Sequence, residues 1–371
     1  MAPKDNVVMK WDGSKPLGVS DMPSTRYQGS KRKILPWIWD KLQDLGFSSV
    51  LDVFGGTGVV SYLFKRMGKR VTYNDYMRWN YQVGVALIEN NLTQLSSAEV
   101  EMLTQPVSRN DAAFVSQAFR GIYFTEQENL WIDAIAARSC RLKGTDTELR
   151  FKRAVAHYAL FQTCLVKRPF NLFHRRNMPL RQANVARSFG NKITWDTPFA
   201  VHFRSFADEI GRHVFHGLQI CRALNHDALD IPAGDYDLVY LDPPYLRRQT
   251  KVETADYLHC YHFLEGLARY DEWPQLIDYS SRLRSFDNPQ ANAWADPARN
   301  GRAFEALLDK FPHSIIGISY KKFGRPSVDT LVRLLKRRGK AVRVYSKHYK
   351  YALNHQNGSA KLNRECLIIG E

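Results

Sequence analysis

The sequence predicts an α/β protein: a doubly wound, mostly parallel sheet interrupted by a long, mostly helical insert. Three observations predict it. The apolar run Ser49–Phe54 meets the glycine-rich turn Phe54-Gly55-Gly56-Thr57-Gly58, then a helical pattern, then a second strand-like run, Arg70–Asn74, that stops at Asp75. That is the opening half of a nucleotide-binding sheet. The strand rhythm breaks over residues 85–213 and resumes at Leu218–Leu224, Tyr236–Leu241 and Ser314–Tyr320. Ala341–His348 and Cys366–Ile369 then flank Asn354-His355-Gln356-Asn357-Gly358, a turn-rich stretch of the kind that joins antiparallel strands, which brings the strands to seven.

Taken in order, residues 1–24 mix charge, Gly and Pro without periodicity and read as a loose arm. After Arg26–Lys31, the spacing of Ile34, Ile38 and Leu42, with Leu45 close behind, predicts a helix, and Gly46 stands where a capping glycine would sit. The turn at Gly55–Gly58 leads into a helix that ends near Gly68. Residues 85–213 are too long for a simple crossover, which predicts a small domain with its own task. A helix over Val328–Arg338 closes with Lys336-Arg337-Arg338-Gly339, where cations and a capping glycine belong. The division is therefore a core of 25–84 and 214–371 with 85–213 inserted.

Of 371 residues, 44% are hydrophobic, enough for a real core, and the net charge of +16 suits a polyanionic partner. Five scattered cysteines without a CxxC pair argue against a zinc site or a disulfide framework, so no metal is expected. No apolar leader or membrane-length run is visible in the sequence, which predicts a soluble, cytoplasmic protein.

Asp242-Pro243-Pro244-Tyr245 follows directly on a predicted core strand, at the carboxyl end where open α/β sheets bind ligands. Two prolines withhold two N–H donors, so carbonyls face the cleft. An acid, a free carbonyl and an aromatic ring suit a flat exocyclic amine. Asp242 and the Pro243 carbonyl would accept its hydrogens and Tyr245 would stack on its ring. Such acceptors act mainly as the nitrogen becomes tetrahedral, in the transition state. The glycines of Gly55–Gly58 let a ligand approach the backbone, but the dinucleotide pattern GxGxxG is not met. Asp75 is placed to take ribose hydroxyls and Asp227, after the third strand, an adenine amine or a helix-cap role.

These segments, with Tyr27-Gln28-Gly29-Ser30-Lys31, make the chain resemble the D12 class (alpha group, Dam-like) of N6-adenine DNA methyltransferases, whose blocks run in this order. The resemblance implies a seven-stranded Rossmann-like S-adenosylmethionine-dependent core with its last strand antiparallel and an inserted target-recognition domain. Tyr27, Gln28, Gly29 and Lys31 would contact the cofactor, with Lys31 near its carboxylate. Phe54, Gly55, Gly56, Thr57 and Gly58 would line its methionine side, Asp75 would hold the ribose and Asp227 the adenine. Asp242, Pro243, Pro244 and Tyr245 would form the catalytic pocket. Double-stranded DNA is the partner implied, and a cognate restriction nuclease is compatible with the family. Methylation of cytosine N4 or of RNA adenine, and a non-catalytic DNA-binding module, are the alternatives.

Between Lys167 and Lys192 lie Lys167, Arg168, Arg175, Arg176, Arg181, Arg187 and Lys192 without an acid, interleaved with Phe170, Phe173, His174 and Phe189. This pattern predicts phosphate contact and base stacking. Arg247 and Arg248, followed by Tyr257, Tyr261 and His262, predict a loop that closes over a base turned out of the duplex. Trp273, Tyr279 and Trp294 read as packing.

Overall fold

The protein is described by a computed structural model covering residues 22–24, 26–176, 178–183, 192–247, 256–287, 292–348 and 364–371. Its strands are β1 (Ser49–Asp52), β2 (Arg70–Asn74), β3 (Arg222–Leu224), β4 (Leu238–Leu241), β5 (Leu246–Arg247), β6 (Ile315–Lys321), β7 (Gly324–Arg325), β8 (Val342–His348) and β9 (Arg364–Gly370). Seven form one sheet in the order β3-β2-β1-β4-β6-β9-β8, while β5 and β7 pair as a small ribbon. β1 is parallel to β2 and β4, and β4 is parallel to β6. β9 runs antiparallel between β6 and β8. The expected strand count and the antiparallel final strand are both present. The turn 354–358 lies outside the described residues.

The two-residue period of the strands divides the core. Val50, Leu238, Tyr240, Leu367 and Ile369 face one hydrophobic cluster. Their neighbours Leu51, Val239, Leu241 and Ile368 face a second, closed by the helices Asn300–Asp309 and Val328–Arg337 through Phe304, Leu307, Leu331 and Leu335. The latter helix is followed by Gly339 in the left-handed region (φ 76°), as its sequence predicts, and the Ser327 side chain caps its start.

Two boundaries differ from expectation. Pairing of β3 begins at Arg222, opposite Thr72. Leu218 and Ile220 stay outside it and exposed, because Leu218 covers the turn at Gly68 instead of extending the strand. The first helix, Leu35–Leu42, stops short of Gly46, whose φ is not positive.

The described part of 85–213 is helical, with Glu126–Ser139, Asp146–Val166 and Phe199–His213 the longest pieces. Capping boxes Thr125/Glu128 and Thr145/Glu148 start the first two. Ile132, Phe161 and Phe203 belong to the same cluster as Leu63 and Tyr73 of the sheet unit, and Asp146–Val166 reaches that unit by packing on the helices Arg78–Gly84 and Val85–Glu89.

Candidate active site

The glycine turn is built by close packing. Tyr73 of β2 lays its ring where a Cβ on Gly55 would stand, 2.0 Å away, and its hydroxyl donates to the Gly56 carbonyl at 2.7 Å. Gly58, at φ 72°, opens the helix Val59–Arg66 from the left-handed region, which a side chain would resist. Asp75 pins the turn from the end of β2: Oδ2 accepts from the Gly56 amide and Oδ1 from the Met77 amide, both at 2.9 Å. Burial raises its carboxyl to about 6.

The quartet Asp242–Tyr245 leaves the end of β4, beside β1, and opens into the same cavity. That cavity encloses about 840 Å³ of non-atom space, its open mouth included. Every residue expected to bind a cofactor lines it except Gly58, whose part is played by its backbone. Asp227 lies exposed at its rim and accepts from the Leu229 amide at 2.9 Å, a local turn contact.

The densest polar cluster surrounds Lys31, which is 2% exposed. Its Nζ lies 2.8 Å from Asp242 Oδ1 and 3.4 Å from Glu365 Oε1, and donates to Tyr245 Oη at 2.6 Å and to the Gly29 carbonyl at 3.2 Å. The single Tyr245 hydroxyl proton has two carboxylate oxygens in reach, Asp242 Oδ1 at 2.5 Å and Glu365 Oε1 at 2.8 Å, and goes to one of them at a time. Burial pushes the Asp242 carboxyl up while the Lys31 ammonium pulls it back. Lys31 thus stands on Asp242, and Tyr245 is anchored by its hydroxyl, with its ring edge-on to Tyr320.

Sequence reasoning missed Asp52, Glu365 and Trp294. Asp52 ends β1 inside the cavity wall; Ser61 donates to Oδ2 at 2.7 Å, while buried Oδ1 has no hydrogen-bond partner among the described residues. Burial raises this carboxyl to about 7. Trp294, read as packing, lines the cavity with its ring edge-on to Phe54 at 4.8 Å. Tyr257 also lines it and stacks on Tyr27. Tyr261 and His262, expected in a closing loop, are buried core residues of the helix Tyr257–Ala268, and Tyr261 Oη accepts from the Gln28 amide.

The basic run 167–192 divides sharply. Lys167, 2% exposed, gives its Nζ to the Trp195 and Thr197 carbonyls and pairs with Glu128 at 3.1 Å. Arg168, equally buried, donates to the Leu172, Arg175 and Tyr123 carbonyls and lies over the Tyr123 ring. Arg181 clamps Glu128 with two bonds of 2.7 Å. These three hold the helical layer together and do not face solvent, which corrects the expected phosphate contact. The acid that takes two of them comes from the helix Glu126–Ser139, outside the run. Phe173 is core, stacked on Phe263. Arg175 and Arg176 are exposed. Arg187, Arg248 and Phe189, and the side chains of Phe170, Lys192 and Arg247, lie outside the described residues.

A seven-stranded sheet with an antiparallel penultimate position, a glycine turn closed by an acid and an acidic Pro-Pro-Tyr corner on the central strand define a methyltransferase-type α/β enzyme. Residues 27–272 match the family described as D12 class N6 adenine-specific DNA methyltransferase, and the chain belongs to that family. It is 26% identical over 356 residues to the type II methyltransferase M2.HphI of Haemophilus parahaemolyticus, covering 94% of this chain and 98% of that one. It is 24% identical to the type II methyltransferase M.NlaIII of Neisseria lactamica, covering 93% and 98%. Against the type II methyltransferase M.FokI of Planomicrobium okeanokoites it is 25% identical, and 93% of this chain matches 52% of that longer protein.

Proposed function

We propose that the protein transfers a methyl group from S-adenosylmethionine to N6 of adenine within a specific double-stranded DNA sequence, as a modification enzyme of the type II kind. The observation that carries this reading is Asp242-Pro243-Pro244-Tyr245 at the end of β4, opening into the cavity walled by the Gly55–Gly58 turn and Asp75. The donor set fits the cofactor. Asp52 Oδ1, buried and unpartnered, suits an ammonium; the turn under Tyr73 offers bare backbone; Asp75 keeps lone pairs for hydroxyls; Phe54 and Trp294 supply an apolar wall. When bound, the cofactor supplies an electrophilic methyl carbon on a sulfonium.

Asp242 and the Pro243 carbonyl accept the hydrogens of the target amine. Its lone pair, otherwise delocalised into the ring, is thereby directed at the methyl carbon. The N–C bond would form as the C–S bond breaks with its electron pair passing to sulfur, and the amine proton, acidic once the nitrogen has bonded, would then pass to solvent. The target base must leave the duplex, because its N6 is stacked and paired there. We assign residues 25–84 and 214–371 to catalysis and 85–213 to target recognition, with the exposed Arg175 and Arg176 on phosphates.

The test is incubation with unmethylated genomic DNA and methyl-labelled S-adenosylmethionine, followed by digestion to nucleosides. N6-methyldeoxyadenosine is expected from the wild type and none from Asp242→Ala, which still binds the cofactor. Label in N4-methyldeoxycytidine, or equal label with Asp242→Ala, refutes the reading.

A further inference from the structure

Glu365 lies outside every motif read in the sequence, yet it is completely buried and faces the reacting corner. It sits on β9, paired opposite Lys321 of β6. Its Oε1 gathers Ser319 Oγ at 2.8 Å, Tyr245 Oη at 2.8 Å and Lys31 Nζ at 3.4 Å. A buried carboxylate is costly unless it is paired and hydrogen-bonded. Two of the partners found here, Lys31 and Tyr245, are the same two that bind Asp242.

We propose that Glu365 is a positioning residue for methyl transfer: it fixes the Lys31–Tyr245 pair that orients the Asp242 carboxylate toward the target amine. Lys31 and Tyr245 both fall on Asp242 Oδ1. That leaves Oδ2 as the acceptor for the amine, provided the carboxylate is kept from rotating. Tyr245 Oη and Lys31 Nζ are tethered on their far side by Glu365, so neither drifts with Asp242. The arrangement places one ammonium between two carboxylates. Without Glu365, Lys31 would be left to Asp242 alone among the carboxylates, and the Tyr245 hydroxyl would keep a single carboxylate neighbour.

The inference rests on the proposed methyl transfer, and the experiment separates the two. Wild type, Glu365→Gln, Glu365→Asp, Tyr245→Phe and the double variant Tyr245→Phe/Glu365→Gln are compared on unmethylated genomic DNA. Three quantities are read: single-turnover formation of N6-methyldeoxyadenosine at saturating S-adenosylmethionine, the Kd for that cofactor, and the Kd for the DNA. Glu365→Gln should slow the transfer at least tenfold while both Kd values stay within about threefold. Glu365→Asp, which keeps the charge, should recover part of the rate. In the Tyr245→Phe background Glu365→Gln should cost less than threefold more, because residues acting through one another are non-additive. Where Glu365→Gln does not fold, the loss of rate with intact cofactor binding is read on Glu365→Asp, with and without Tyr245→Phe. A transfer rate within twofold of wild type, or an equal loss in both backgrounds, overturns the positioning role. Wild type that makes no N6-methyldeoxyadenosine refutes the parent reading instead.

Discussion

Asp52 makes a pH dependence that no other residue of the cavity supplies alone. Burial raises its folded carboxyl to about 7, above its ordinary value of 3.8, so the fold favours the neutral form. That contribution to stability is fully present below the unfolded value and is lost as pH rises through about 7. A cationic ammonium at Oδ1 reverses the preference and selects the ionised form. Affinity for S-adenosylmethionine should therefore climb by about tenfold between pH 5.5 and 7. Calorimetric titration across that range measures it, and Asp52→Asn should flatten most of the slope; a slope unchanged in that variant would remove Asp52 from the binding site. Asp75, raised to about 6, is left to account for the remainder. Asp52 could have been noticed in the sequence, since it stands two residues before the Phe54–Gly58 turn, but a strand-end acid has no distinguishing neighbour until burial is known. Glu365 had no signal at all, because its contact with Tyr245 spans 120 positions and a single acid in Arg364–Gly370 reads as the polar side of a strand.

Elements were legible where their chemistry is local. The glycine turn, the Pro-Pro corner and the Ser327-capped helix each announce themselves within a few residues, and each is where it was expected. β3 was overdrawn because Leu218 and Ile220 carry strand-like character but no ladder partner, and an apolar run does not reveal its partners. The turn itself yields a sharp expectation. A methyl group on Gly55 would meet the Tyr73 ring at 2.0 Å, and that ring is held by Tyr73 Oη bonds to the Gly56 and Asn80 carbonyls. Gly55→Ala should therefore cost about 1–3 kcal/mol of stability through overpacking. It should also weaken cofactor binding more than tenfold. Thermal unfolding with and without S-adenosylmethionine checks both; an unshifted Tm would mean that the turn yields.

At the scale of the molecule, charge and burial must be read together. The chain carries +16, but part of its densest basic run is committed to its own interior. Lys167→Ala should behave as a stability variant, losing about 1–3 kcal/mol because the Trp195 and Thr197 carbonyls lose their donor while Arg181 still holds Glu128. Arg175→Ala with Arg176→Ala should leave Tm nearly unchanged and lower the slope of log Kd for DNA against log salt by about 2. Denaturant unfolding and filter binding at several salt concentrations distinguish the two classes. Exchanged outcomes, with Lys167→Ala altering only the salt slope, would return that lysine to the DNA surface. Sequence alone could not sort these cations, because their neutralising acid arrives from a separate helix. Among the described residues no helix is long and apolar enough to cross a membrane.

β9 is made after β8 yet lies inside it, between β8 and β6. A nascent chain that has already produced Asp242 and Tyr245 still has an open sheet edge at β6 and an incomplete polar corner. Lys31 meets its second counter-ion, Glu365, only once β9 is paired on β6. The strand that covers the β6 edge therefore also delivers the acid that completes the Lys31 corner, so sheet closure and site assembly are one structural event.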